Sequence, residues 1–365
     1  MKNTFGTSVA VTLFGESHGA MIGAVLDGLA PGIEVDETFI ASRMDLRRSV
    51  GSLSTARHEA DIVRIVSGVV NGRTTGTPIT LLIENGDTKS GHYDEMQTLA
   101  RPGHADFTAY EKYHGFADTR GGGHFSGRIT AGLVAAGAIA MGALEKKGIH
   151  IGTHLASCGG VEDRAFGDVA ADIAFLRDRE FAALDEAQGE AMKAAILAAK
   201  KDGDSVGGIL ETAVTGLPTG VGEPWFDTME GVIAHILFSI PAIKGVEFGA
   251  GFALASLRGS EANDPFRVED GRIVTTTNNC GGILGGITNG MPMLIRSVVK
   301  PTSSIYIEQD TVNFKTVENA RLGVRGRHDP AIIHRARVVV DCAVALALCD
   351  MLAQHFGTDW LRADN

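Results

Sequence analysis

The stretch 115–138, GFADTRGGGHFSGRITAGLVAAGA, sets the tightest constraint on how this chain can fold. A polar, glycine-dense loop at 118–126 runs into an apolar segment where Ile129, Leu133, Ala136, Ala140 and Leu144 recur at helical spacing. That period predicts a helix with a buried face. The glycines Gly121, Gly122 and Gly123 allow φ > 0 and close approach of a ligand to the backbone. Arg120, His124, Ser126 and Arg128 crowd donors around the same turn. Backbone amides at the helix start favour an anion there. The triplet matches neither GxGxxG nor GxxxxGK[ST], so the side chains around it carry the functional reading.

At 365 residues, 44% hydrophobic and 21% charged, the composition is that of a soluble globular protein able to bury a sizeable core. A net charge of −11 argues against nucleic acid as the main partner. The first segment lacks a basic n-region and a cleavage pattern, so no signal peptide is expected. The longest apolar run, 131–144, has 14 residues, too few to cross a bilayer, so no membrane partner is expected. Cys158, Cys280, Cys342 and Cys349 form no CxxC pair, and Cys342 and Cys349 fall on one helix face as reduced core residues. A cytoplasmic location is the expectation.

Near the N-terminus a strand-like 9–13 leads into FGESHG, where a tight turn presents Ser17 and His18. A histidine there can give or take a proton near neutrality, or simply be held by local hydrogen bonds. Residues 36–48 read as a helix capped by Asp36. Arg43, Arg47, Arg48 and Arg57 follow within fifteen residues, against the single acid Asp45. Guanidinium groups so poorly matched by acids suit phosphate or carboxylate. Segments 62–70 and 78–83 read as strands joined by a hairpin-type connection. In RPGHADF, Pro102 and Gly103 force a turn that presents His104, with Asp106 two residues on. His104, His114 and His124 recur at intervals of ten, which matches no metal-ligand spacing, so no metal site is expected.

Eleven acids fall between Glu162 and Asp204 in an alanine-rich, helical-looking region, expected to be a solvated excursion at about 160–205 without chemistry. A second glycine-rich loop at 278–292 contains Gly285 and precedes a strand-like 293–299. Lys300, Pro301, Thr302, Ser303 and Ser304 then offer charge and hydroxyls on a turn. Finally, Asp329 before Pro330 reads as the N-cap of a long helix closed by Gly357. Arg321, Arg325, Arg327, Arg335 and Arg337 surround that start.

No one of these motifs decides function, but together they describe a site for a small, phosphate-bearing polyanion with proton transfer beside it. Nine collinear fragments then carry a resemblance to the chorismate synthase family: FGESHG, LRR, TTGTPI, RPGHAD, the 118–138 stretch, SIPAIKGVEFGAGF, NNCGGILGGI, KPTSS and GRHDP. The resemblance implies an α+β sandwich of antiparallel β-sheets with helices, in one domain spanning 1–365, assembled as a homotetramer. It also implies a lyase that eliminates phosphate and the C6 proton from 5-enolpyruvylshikimate 3-phosphate to give chorismate. Reduced FMN is required without net redox change. By motif position, His18 corresponds to the acid that protonates the departing phosphate and His104 to the partner of the reduced flavin. Asp329 corresponds to the acid that acts with the flavin in removing the C6 proton, and Ser17 and Ser126 to relay serines. Arg47, Arg48, Arg57 and Arg128 correspond to substrate-side arginines. His124, Phe125, Ser126, Gly285, Lys300, Pro301, Thr302, Ser303, Ser304 and Arg327 correspond to flavin-binding positions. The chain departs from the family pattern after Arg48, where the shortened SVGSLSTAR lacks one arginine, and at His124 and Phe125, where an arginine and a second serine are common. Some family members reduce flavin with NADPH; no dinucleotide fingerprint occurs here, so an outside reductant is expected. A metal-dependent hydrolase and a non-catalytic anion-binding protein are the rival classes.

Overall fold

Two five-stranded antiparallel sheets enclose a layer of helices in the computed structural model, which describes residues 2–48, 51–54, 60–86, 98–324 and 328–362. The first sheet runs in the order Thr4–Phe5, Ala10–Gly15, Met21–Asp27, Ile79–Glu84, Val63–Ser67. The second runs Ile243–Phe248, Met293–Val299, Gly208–Thr215, His150–Cys158, Val161–Glu162. The helix Thr130–Lys146 packs on the first sheet and against the helix Ile333–Phe356, which packs on the second. The architecture is the expected α+β arrangement.

The Thr130–Lys146 helix is buried almost all round, not along one stripe, because it has a sheet on one side and a helix on another. Two glycines set how close those neighbours come. A Cβ on Gly132 would lie 2.7 Å from the Gly23 carbonyl oxygen, and one on Gly137 only 2.3 Å from Cys342 Cβ. A methyl group at either position would push the layers apart, at about 1–3 kcal/mol. With its preceding turn, this helix is the one described stretch long and apolar enough to cross a bilayer, yet 89% of the tested window is buried inside the protein. It is a core helix.

The helix Ile333–Phe356 carries buried Cys342 and Cys349 as expected and ends at Gly357, whose φ of 87° suits glycine. Its buried charges are all engaged. Asp350 accepts from the backbone amides of Thr7, Ser8 and Val9, and Asp341 accepts from Thr153 Oγ1 at 2.6 Å. The start of this helix corrects the sequence expectation. Helical structure begins at Ile333, and neither Asp329 nor Pro330 occupies its cap. The Asp329 carboxylate is held instead by Arg335 Nη1 at 2.8 Å, in the first helical turn.

Asp36 does cap its helix, Glu37–Leu46, accepting from the amides of Thr38 and Phe39. The expected strand 62–70 is split at Gly68, where φ reaches 79°. The acidic region is helical, with Val169–Leu176 capped by Asp168 and Glu186–Lys201 capped by Asp185, but it is not merely solvated. Ile173, Leu176, Met192 and Ile196 are buried, and Asp163 pairs with buried His154. Helical amphipathicity supplies the docking face that the acid count hid.

Candidate active site

A cavity of about 1130 Å³ opens where the glycine turn, the RPGHAD loop, the KPTSS loop and the start of the C-terminal helix converge. Among the described residues its wall carries eight Lys and Arg side chains against four carboxylates. The cavity is therefore cationic in a chain whose net charge is −11, which fits a polyanionic ligand. Arg47, Arg48, Arg128, His104, Asp329, His124, Phe125 and Ser126 all line it, as do Lys300, Pro301, Thr302, Ser303 and Ser304. Three expected positions stand apart from the wall. Ser17 and His18 lie directly behind it, and Gly285 sits in the Ile283–Leu284/Ile287–Thr288 hairpin, away from the cavity. Arg57 and Arg327 lie outside the described residues.

His18 is buried against the glycine turn. A Cβ on Gly121, whose φ is 60°, would fall 2.0 Å from His18 Cε1, so only glycine lets the ring come this close to the cavity floor. Ser17 Oγ lies 3.1 Å from His18 Nδ1 and 3.1 Å from the carbonyls of Arg120 and Gly121. A hydroxyl has one proton; directed to a carbonyl, it leaves Nδ1 as the donor and Nε2 as the basic nitrogen. Nearby, His124 Nδ1 donates to the Gly15 carbonyl at 2.8 Å, tying the two glycine turns together. Ser126 Oγ accepts from the Arg128 amide at 3.2 Å, so it caps the turn that feeds the core helix.

His104 is fixed from both sides. Nδ1 donates to the Pro102 carbonyl at 3.2 Å, and Ser304 Oγ lies 3.0 Å from Nε2. Burial lowers its pKa, and the neighbouring Arg101 lowers it further, so the ring is neutral near pH 7 and Nε2 is an acceptor. The loop is closed by a bidentate pair in which Arg101 Nε and Nη2 each meet Asp106 at 2.7 Å. Lys300 Nζ donates to the Gly103 carbonyl at 2.6 Å and to Ser303 Oγ at 2.8 Å, binding the KPTSS loop to the RPGHAD loop. Thr302 Oγ1 is buried on this wall with no partner among the described residues.

At the start of the C-terminal helix, Arg335 joins two expected residues. Its Nη1 holds Asp329, and its Nε donates to the Arg47 carbonyl at 2.9 Å. Between Arg47 and Arg128 sits Asp61, which the motifs do not single out. Oδ2 accepts from Arg47 Nη2 at 2.7 Å, and Oδ1 accepts from Arg128 Nη1. Burial alone would raise the Asp61 carboxyl, but the two guanidinium groups outweigh it and hold it below the usual carboxylate range. The only sequence signal for Asp61 was an acid shortly after an arginine-rich run. Among the described residues, no group of three His, Cys, Asp or Glu side chains is gathered to hold a metal.

The family profile described as chorismate synthase matches residues 9–353. A chorismate synthase from Thermococcus kodakarensis is 46% identical over 350 residues, 96% of this chain and 97% of that one. One from Dehalococcoides mccartyi is 46% identical over 354 residues, covering 96% of each chain. A solved structure described as a crystal structure of chorismate synthase superposes with a TM-score of 0.75 at 28% identity, over 96% of this chain and 94% of that one.

Proposed function

The chain belongs to the chorismate synthase family of carbon–oxygen lyases, and from that premise we propose that it eliminates phosphate and the C6 proton from 5-enolpyruvylshikimate 3-phosphate to form chorismate. The observation that carries this reading is the excess of cations around the cavity, with neutral His104 and the carboxylate of Asp329 on its wall. A substrate with two carboxylates and a phosphate requires such an excess. Arg47, Arg48 and Arg128 bind these anionic groups, and Arg57 is the fourth arginine of the same motif set.

The donors of the KPTSS wall fit FMN. Buried Thr302 Oγ1 has no partner among the described residues, and the hydroxyls of Ser303 and Ser304 and the ammonium of Lys300 stand beside it. With Phe125, Ser126 and His104 these residues would hold the cofactor. Reduced FMN, when bound there, would supply electron density to the elimination with no net redox change. The chain's own residues handle the protons. His18, oriented by Ser17, supplies a proton to the departing phosphate, and Asp329, held in place by Arg335, serves the C6 proton. No dinucleotide fingerprint accompanies the cavity, so reduction of the flavin falls to an outside reductant. Trp225, Phe226 and Phe252, each at least 84% exposed, favour assembly of several copies, and a homotetramer would have four times the 38.3 kDa chain mass in light scattering.

The test is anaerobic incubation of the protein with the enolpyruvyl substrate and photoreduced FMN. Release of phosphate and chorismate, insensitive to chelators, is expected. No phosphate release would overturn the lyase reading, and chelator-sensitive release without flavin would favour a metal-dependent hydrolase.

A further inference from the structure

Asp61 lines the cavity between Arg47 and Arg128, yet none of the motifs assigns it a role. Its side chain is 3% exposed, and each oxygen faces a different guanidinium. Its backbone φ is 49°, a left-handed conformation that an aspartate tolerates better than most side chains. The chain takes up this conformation to turn a carboxylate inward between two arginines that are far apart in sequence.

The two arginines depend on Asp61 unequally. Arg128 is also anchored by Nε to Asn85 Oδ1 at 2.9 Å and by Nη2 to the Glu84 carbonyl at 3.1 Å. Arg47 is tied through its side chain to Asp61 at Nη2, while its Nε is buried with no partner among the described residues. Both guanidinium groups are almost fully buried, with side-chain exposures of 8% for Arg47 and 4% for Arg128. Two buried cations sharing one site repel each other unless an anion is fixed between them. That anion occupies one edge of Arg47, and its Nε donor has no acceptor among the described residues.

We propose that Asp61 is a positioning residue for the substrate, a fixed counter-ion that aims Arg47 and Arg128 as a preformed pair for one anionic group of the ligand. The proposal rests on the lyase reading above. It predicts the opposite of simple charge counting. Removing a negative charge from a cationic wall should tighten an anion's binding if Asp61 only competes for the arginines. If Asp61 aims them, binding weakens.

The test uses Asp61→Asn and Asp61→Glu in the full chain, with substrate affinity measured by calorimetry in the absence of flavin and KM and kcat measured with reduced FMN. Asn keeps the shape and loses the charge; Glu keeps the charge and shifts the carboxylate by one methylene. Displacing a binding group by about 1 Å costs up to roughly 100-fold, so KM and Kd are expected to rise about 10–100-fold in both variants, with kcat changed far less. Tighter binding in Asp61→Asn, or parental KM in a folded Asp61→Glu, would overturn the proposal. Should Asp61→Asn fail to fold, Asp61→Glu alone decides, because a purely structural counter-ion role survives in Glu. An inactive parent would instead count against the lyase reading, since the Kd comparison needs no turnover.

Discussion

Among the described residues, two buried charge triads of opposite composition can be set side by side, one of which lines the cavity. Arg47–Asp61–Arg128 is cation–anion–cation and forms part of the cavity wall. Asp163–His154–Glu211 is anion–cation–anion, with His154 Nδ1 3.0 Å from Asp163 and Nε2 3.1 Å from Glu211, packed beneath the Phe166 ring. Only an imidazolium donates from both nitrogens. Burial opposes that charge, but the hydrogen bonds to the two carboxylates outweigh it and raise the His154 pKa. In the sealed triad the surplus negative charge is absorbed by protein. Asp163 also accepts from the amides of Leu184 and Asp185. In the open triad the surplus is positive, and Arg47 Nε has no partner among the described residues. A charge network completed by its own chain holds the fold together, whereas one left incomplete at a cavity is built for a ligand.

Substitutions on the cavity side should have the largest effect. His104→Ala and His18→Ala should each lower turnover by about 10²–10⁴ while leaving the melting temperature and substrate affinity near the parent's. Rapid-quench and binding measurements check this, and turnover retained at saturation with affinity lost would make the histidine a binding residue. From the sealed side the pattern reverses. His154→Leu strands Asp163 and Glu211 and should cost about 3–5 kcal/mol in denaturant unfolding, with KM unchanged in the folded fraction. An altered KM there would show that the two triads communicate.

Acid sharpens the contrast between His154 and a third buried histidine. His334 is pushed down to about 3, first by burial and then by Arg335, and Ser54 Oγ lies 2.9 Å from its Nε2. Because its folded value is below the unfolded one, the unfolded chain binds the extra proton, and stability falls as pH drops below about 6.5. His154 has the opposite sign: its raised folded value stabilises the protein below the unfolded value, and that support is lost as pH rises through the folded value. Replacing His334 by Gln should therefore remove about 2 kcal/mol of stability loss between pH 7 and pH 5, read as the difference between parent and variant unfolding curves. Parallel curves would refute this.

The smallest expected change is at Asp329. Because Asp329 pairs with Arg335 and does not cap the helix, Asp329→Asn should leave the melting temperature nearly unchanged while lowering turnover by about an order of magnitude or more. A fully active Asn variant would reduce Asp329 to a structural partner of Arg335.

Where the physics is local, the sequence by itself determined the outcome. Asp36 caps its helix because its side chain reaches amides two and three residues on, and Gly357 ends another because only a residue tolerant of positive φ fits there. The strand Met293–Val299 and the helix Thr130–Lys146 follow from short-range apolar patterning in the same way. The nine motif fragments likewise named the family and most of the cavity wall. Tertiary structure alone decided which partners distant side chains found. Ser304 meets His104 across 200 positions, Asp61 lodges between Arg47 and Arg128, and Asp329 gives up a cap for Arg335. A capping rule weighs a carboxylate against its own next turn, whereas in the folded chain a guanidinium 2.8 Å away competes for the same oxygen. The acidic region hid the buried pairing of Asp163 with His154, a residue of the preceding strand, for the same reason. Whether a carboxylate is solvated or buried depends on what packs over it, and that is set by the sheet beneath and not by the neighbouring residues.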